Sequence, residues 1–197
     1  MILTAPAFAL AIAGNKESKM DMQENIIIMD KDQLTLTLKR LAHQLIENHY
    51  PFTDTCFIGI QPRGVPLSDF IVDYIRQLYP EADIKYGKLD ITFYRDDIRQ
   101  QLHVPSETIL PFSIENKKVV LIDDVLYTGR TIRAALDALL DNGRPSRVEL
   151  CILVDRKYSR QLPIHPDYFG KAIDSIITQK VKVYWGEDAR VVLYDKI

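Results

Sequence analysis

The stretch Val119-Val120-Leu121-Ile122-Asp123-Asp124-Val125-Leu126-Tyr127-Thr128-Gly129-Arg130-Thr131 decides how the rest of the chain is read. Val119 to Ile122 is an apolar, mostly β-branched run of the kind that forms a strand buried on both faces. Behind it, Ile132, Ala135, Leu136, Leu139 and Leu140 recur at helical spacing. A strand therefore feeds a helix through the loop that ends at Thr131. Such a turn aims successive backbone N–H groups, and the positive end of the helix dipole, at one spot where an anion can sit. Thr128 and Thr131 add hydroxyl donors, and Gly129 permits close backbone approach and a positive φ. Asp123 and Asp124 stand at the carboxyl end of the strand, within reach of a pentose attached to that phosphate. As carboxylates they only accept, which suits two ribose hydroxyls. A plain capped loop, with Asp124 serving the helix and Thr128 as its N-cap, accounts for one aspartate and one threonine. It leaves the second carboxylate and Gly129-Arg130-Thr131 without a purpose, so the stretch reads as a site for a phosphorylated sugar.

Composition narrows the class. With 197 residues, 47% hydrophobic content and a formal charge of −2, the chain has the size of one globular domain with a full core. That balance excludes a polycationic nucleic-acid binder, so any RNA affinity must come from a local basic patch or from oligomerisation that gathers such patches. Cys56 and Cys151 both sit in apolar runs and read as inert buried thiols rather than a disulfide or metal pair. Residues 1–28 read as a tail, disordered or loosely docked, ahead of one domain over 29–197. The apolar stretch from Met1 to Ala13 has no Lys or Arg before it and is not read as a secretory signal. No run approaches the ~20 apolar residues of a membrane span, and the expected setting is the cytoplasm.

Helix and strand patterns alternate, which predicts an α/β fold, a doubly wound parallel sheet with helices on both faces. The spacing predicts a first helix over about 32–48, with Leu34, Leu38, Leu41 and Leu45 on one side. There follow a strand Cys56–Ile60, a helix over about 65–78, a strand Leu89–Tyr94, the motif strand and helix, and a strand Val148–Val154. Lys180–Trp185 and Val191–Tyr194 alternate around Gly186-Glu187-Asp188 and read as a hairpin. Residues 96–115 have no period, and a long loop inside a compact domain is more often a lid than an accident.

Three further segments meet at the carboxyl end of such a sheet, where ligands of open α/β folds bind. Gly59-Ile60-Gln61-Pro62-Arg63-Gly64-Val65-Pro66 joins a strand to a helix and offers Arg63 and backbone amides, although by itself an ordinary Pro/Gly turn fits it as well. Tyr94-Arg95-Asp96-Asp97 opens the long loop, where Arg95 can fork onto a polyphosphate or simply join a solvated charge cluster. Val154-Asp155-Arg156 ends the strand after the motif helix.

The motif resembles the phosphoribosyl-pyrophosphate motif of type I phosphoribosyltransferases, two hydrophobics and two acids before a Thr-Gly-x-Thr turn. With Leu89-Asp90-Ile91-Thr92-Phe93-Tyr94-Arg95-Asp96-Asp97, Gly143-Arg144-Pro145, Leu153-Val154-Asp155-Arg156 and Leu162-Pro163-Ile164, the chain from about Met29 onward resembles the PyrR family of pyrimidine-operon regulators and uracil phosphoribosyltransferases. The resemblance implies conversion of uracil and phosphoribosyl pyrophosphate to UMP and pyrophosphate with Mg²⁺, whose protein ligands it leaves unknown, and a homodimer or higher homo-oligomer. It implies catalytic roles for Arg95, Asp123 and Asp124. It implies phosphoribosyl-pyrophosphate contacts from Arg63, Gly64, Asp123, Asp124, Val125, Leu126, Tyr127, Thr128, Gly129, Arg130 and Thr131, with a cis peptide at Pro62–Arg63. Base contacts fall to Val154, Asp155 and Arg156, after which Lys157-Tyr158-Ser159-Arg160 departs from the family pattern by one extra residue. Messenger RNA contacts fall to Lys39, Arg40, His43 and Arg160, although Lys39 does not keep the family's residue type and a solvated helix face accounts for the first three equally well. Purine-salvage relatives carry an acid where this chain has Tyr127; a tyrosine, with an ordinary pKa near 10, suits a general base poorly. The alternatives are an RNA-binding nucleotide sensor with little catalysis, and a purine-salvage enzyme.

Overall fold

The computed structural model describes residues 25–95 and 106–195. Its centre is a five-stranded, wholly parallel sheet in the order β3-β2-β4-β5-β6, built from β2 (Thr55–Ile60), β3 (Lys85–Leu89), β4 (Lys118–Leu126), β5 (Arg147–Lys157) and β6 (Tyr168–Asp174). β4, the motif strand, lies in the middle, and period-two alternation sends its side chains to opposite layers. Val120 and Ile122 join the core under α1 (Lys31–His49) and α2 (Val65–Leu78), whereas Val119 and Leu121 join the core under α3 (Arg130–Asn142). All four are fully buried, which is why a strand covered on both faces reads as an unbroken apolar run.

The doubly wound fold is thus observed, and the hairpin is β7 (Lys180–Tyr184) with β8 (Arg190–Tyr194). A third strand, β1 (Asn25–Met29), completes the small antiparallel sheet by pairing with β8. Residues 25–28, assigned to the tail by sequence, therefore lie in this strand; residues 1–24 lie outside the described residues, as does the loop at 96–105.

The strand expected over Leu89–Tyr94 is displaced: pairing with β2 runs from Lys85 to Leu89, and Thr92–Tyr94 forms a 3₁₀ turn instead. Asp90 is the cause, because its Oδ1 accepts from both the backbone N–H (3.2 Å) and the hydroxyl (2.7 Å) of Thr92 and offers that backbone an alternative to the sheet. No helix among the described residues is long and apolar enough to cross a membrane.

Candidate functional site

The carboxyl end of β4 opens into a cavity of 330 Å³ lined by residues 125–132, Asp123, Arg63, Arg95 and Gln161. Every residue of the motif loop therefore faces one space, together with an arginine from each of two other segments. Gly129 caps α3 at φ +92°, a left-handed conformation that costs a glycine little. Leu162 and Ile164 pack over it so closely that a Cβ there would lie 3.2 Å from Ile164 Cδ1. The first-turn N–H groups of α3, which no helix satisfies internally, sit at this wall, and Arg63, Arg95 and Arg130 add positive charge.

Against that positive rim stand two carboxylates that the protein buries. Asp123 is 4% and Asp124 6% exposed, and Asp124 Oδ1 has no hydrogen-bond partner among the described residues. Burial drives both carboxyls above the ordinary carboxylate range, and the neighbouring charge of Asp124 pushes Asp123 further up. Arg63 opposes the rise at both and Arg95 opposes it at Asp123, which puts these guanidinium groups in the electrostatic field of the pair. Asp123 Oδ1 accepts from the Asp124 N–H (3.0 Å), whereas a buried carboxylate oxygen such as Asp124 Oδ1 can still accept a hydroxyl donor from outside the chain.

Arg63 and Gly64 arrive on the loop between β2 and α2. A Cβ on Gly64 would come within 2.3 Å of the Ile122 carbonyl oxygen and 3.0 Å of Asp123 Cα, so glycine lets this loop lie against β4 where the aspartates begin. The cis bonds of the described chain are Tyr50–Pro51 and Gln61–Pro62; the bond expected to be cis, Pro62–Arg63, is not among them. A prolyl imide makes cis cheaper by about 2–3 kcal/mol than a secondary amide does, so the cis bond falls before Pro62 and not after it.

Arg95 follows the 3₁₀ turn, which Tyr94 ties to α3 through a 2.5 Å hydrogen bond from its hydroxyl to Asp141 Oδ2. Asp90 anchors the same turn from below: its Oδ2 accepts from Ser106 N–H (3.1 Å), and its own N–H donates to Thr108 (3.1 Å). Both ends of the long loop are thereby tied to one carboxylate. Neither Asp90 nor Gln161 was singled out by the sequence, since the contacts that tie Asp90 to Ser106 and Thr108 and Gln161 to Arg130 and Thr128 span 16 or more residues.

The expected base-binding trio divides. Val154 is fully buried, and Asp155 (8% exposed) ion-pairs with Arg160. Arg156 stacks its guanidinium 4.0 Å over the ring of Tyr127 and donates to Ser175 Oγ (2.8 Å) and the Ile176 carbonyl (3.0 Å). The Tyr127 hydroxyl in turn donates to the Ile177 carbonyl at 3.3 Å. The 127–131 loop is thus bound to the 175–177 turn, where Ile176 and Ile177 stand 65% and 75% exposed beside Tyr158 on a second cavity of 610 Å³.

The expected RNA-contacting residues divide as well. Lys39, Arg40 and His43 are exposed on α1: Lys39 and His43 flank Tyr74, and Arg40 donates to the carbonyls of Phe169 (3.2 Å) and Gly170 (2.6 Å). Arg160 does not join them in these contacts. Its side chain, 17% exposed, turns inward to Asp155 and to the Tyr127 carbonyl. The side-chain partners of Arg160 are what a helical-face argument cannot supply.

Residues 27–188 match the phosphoribosyl transferase domain family. The bifunctional protein PyrR of Picosynechococcus sp. is 47% identical over 83% of this chain and 92% of its own length. The proteins of the same name from Elusimicrobium minutum and Bacillus cereus are 44% and 40% identical, over 85% and 89% of this chain and 96% and 100% of theirs. Among solved structures, a hypoxanthine phosphoribosyltransferase from Staphylococcus aureus superposes with a TM-score of 0.61 at 20% identity, covering 77% of this chain and 80% of that one. At that identity the likeness speaks for the fold alone.

Proposed function

The chain belongs to the PyrR family of phosphoribosyltransferases, and on that footing we propose that it transfers the phosphoribosyl group of phosphoribosyl pyrophosphate to uracil, yielding UMP and pyrophosphate. The observation that carries this reading is the meeting, at the carboxyl end of β4, of a helix-terminus cradle for a phosphate with two adjacent buried carboxylates, one of which keeps an unpartnered oxygen.

In this reading the N–H groups at the start of α3 and the hydroxyls of Thr128 and Thr131 take the 5′-phosphate. Asp123 and Asp124 accept from the ribose hydroxyls and hold the ring as positive charge develops at its anomeric carbon. Arg63 and Arg95 lie across the cavity, where a departing diphosphate needs cations. Catalysis then rests on positioning and electrostatics, with no covalent nucleophile. Mg²⁺ suits the donor set: two adjacent buried carboxylates, one with an unpartnered oxygen, stand at the end of β4, and this ion is commonly bound by one or two carboxylates with substrate phosphates. Asp123 and Asp124 would hold it, and it would supply charge neutralisation to the leaving pyrophosphate.

Tyr127 supports a pyrimidine over a purine. Its hydroxyl is spent on the Ile177 carbonyl and its ring lies under Arg156, so the position that would need a general base toward a purine nitrogen holds a group already committed to structure. A panel of radiolabelled nucleobases offered with phosphoribosyl pyrophosphate and Mg²⁺ tests this. Uracil is consumed, and hypoxanthine and guanine are not; turnover of a purine at the rate of uracil overturns the pyrimidine reading.

The second activity in the proposal is UMP-dependent binding of a pyrimidine-operon leader RNA, which regulates transcription, with Lys39, Arg40 and His43 as the contacting face. A cytoplasmic homodimer or higher homo-oligomer that sets two such faces side by side gathers positive charge that a chain of net −2 lacks. Gel-shift titration at two salt concentrations, with and without UMP, reads it. Binding weakens with salt as counterions are released and strengthens with UMP.

A further inference from the structure

Arg160 and the two residues after it make a pattern of contacts that the reaction outlined above leaves without a use. Arg160 Nη1 donates to the Tyr127 carbonyl at 2.6 Å, while Nη2 pairs with Asp155. The N–H groups of Gln161 (3.0 Å) and Leu162 (3.2 Å) both donate to the next carbonyl, that of Thr128. Gln161 Oε1 accepts from Arg130 Nε at 2.9 Å, and Leu162 and Ile164 press on Gly129. Two consecutive carbonyls of the phosphate loop are therefore pinned by one short segment more than 30 residues away in sequence.

The consequence follows from peptide geometry. In a trans peptide the carbonyl and the N–H of the same unit point in opposite directions. Holding the Tyr127 carbonyl against Arg160 aims the Thr128 N–H the other way, and holding the Thr128 carbonyl against Gln161 and Leu162 does the same for the Gly129 N–H. We propose that Arg160 is a positioning residue for the phosphate cradle: it keeps the Tyr127 carbonyl away from the anion, so that the Thr128 N–H faces it, beside the Gly129 N–H that Gln161 and Leu162 set in the same way. The inference deepens the phosphoribosyl-transfer reading and rests on it.

Arginine is suited to the task because its planar fork serves two acceptors at once, whereas a lysine ammonium is a flexible point charge. Asp155 fixes the fork by taking Nη2, which leaves Nη1 for the backbone carbonyl. With its side chain 17% exposed and both these acceptors supplied from within the chain, Arg160 is built into the site rather than displayed on the surface.

Arg160→Lys keeps a charge opposite Asp155 and loses the fork. Because a half-buried pair that loses one member leaves an unpaired charge, the doubly neutral Asp155→Asn/Arg160→Gln is prepared beside it. For each, the Kd for phosphoribosyl pyrophosphate is measured by calorimetry, and the KM for each substrate and kcat by steady-state assay. Affinity for the chain's own pyrimidine leader RNA is measured by gel shift. In both variants the Kd and KM for phosphoribosyl pyrophosphate rise roughly tenfold, the loss of one charged hydrogen bond. In Arg160→Lys, kcat, the KM for uracil and RNA affinity stay within about a factor of three of wild type, a split that general loosening of the fold would not produce.

Phosphoribosyl-pyrophosphate constants within twofold of wild type in both variants overturn the proposal. If RNA affinity falls while those constants hold, Arg160 is a surface contact instead. A wild type that binds phosphoribosyl pyrophosphate without consuming uracil sinks the uracil reading and leaves the Kd comparison to decide on Arg160. A wild type that binds none overturns both, and two unfolded variants by circular dichroism make Arg160 a folding residue and overturn the proposal as well.

Discussion

The two ends of the parallel sheet bury charge in opposite ways. At the amino end, Glu149 on β5 is 6% exposed and fully engaged: Oε2 accepts from the Tyr168 hydroxyl (2.7 Å) and His49 Nε2 (3.1 Å), and Oε1 from Arg147 Nε (2.8 Å). His49 Nδ1 meets the Thr55 hydroxyl at 3.2 Å, and burial lowers the His49 pKa although Glu149 pulls the other way. A neutral ring donating from Nε2 and accepting at Nδ1 satisfies every partner; that tautomer is assigned from the hydrogen-bond network. At the carboxyl end, Asp123 and Asp124 are buried to the same degree, yet Asp124 Oδ1 has no partner and both carboxyls are pushed up. Equal burial with unequal satisfaction separates a structural polar cluster from a binding site, because only an outside ligand repays the second kind.

The contrast is broken most directly at the carboxyl end. Asparagine at both 123 and 124 is expected to raise the KM for phosphoribosyl pyrophosphate roughly 100-fold or more, since each hydrogen bond to a charged acceptor is worth about 1.5–3 kcal/mol. The fold should persist, and the melting temperature without ligand should rise. Steady-state kinetics with thermal denaturation check both, and an unchanged KM sinks the ribose assignment.

Glu149→Ala should do the reverse. It leaves His49 and Tyr168 without their shared acceptor and is expected to cost about 3 kcal/mol of stability by urea denaturation, with kcat/KM retained in native buffer. A variant that loses activity while keeping its stability would place the amino end in the functional machinery.

A smaller effect sharpens the comparison through pH. A carboxyl whose folded pKa lies above its unfolded value is more readily protonated in the native state, so its penalty is absent below the ordinary carboxylate pKa near 4 and grows as pH rises toward the folded pKa. The stability gained by the double asparagine variant over wild type should therefore be larger at pH 7.5 than at pH 4.5. Urea titrations at the two pH values measure that gap, and a gap that closes as pH rises contradicts the raised pKa of the pair.

Much of the site was legible because its parts are local. The apolar run, the two acids and the Thr-Gly-Arg-Thr turn lie within 13 consecutive residues, and a strand, a glycine turn and an amphipathic helix each declare themselves by short-range pattern. Edge elements were harder. β3, with Lys85, Gly87 and Lys88, lacks the apolar signature of a strand; its outer edge is covered by residues 109–112, and Lys88 and Ile109 exchange backbone hydrogen bonds of 2.8 Å there. The neighbouring Ile91-Thr92-Phe93-Tyr94, with the better strand composition, was diverted by the Asp90 side chain.

By itself the sequence determined the strand, turn and helix of the motif, the doubly wound fold and the place of two carboxylates just before the Thr-Gly-Arg-Thr turn, because each depends on residues a few positions apart. Only the tertiary structure decided that β1 closes the small sheet on β8, that Arg156 lies on Tyr127, and that Arg160 turns inward to hold the Tyr127 carbonyl. Those contacts span from 29 to more than 160 residues of chain. Side-chain direction over such distances is set by which elements pack together, and no local periodicity encodes it.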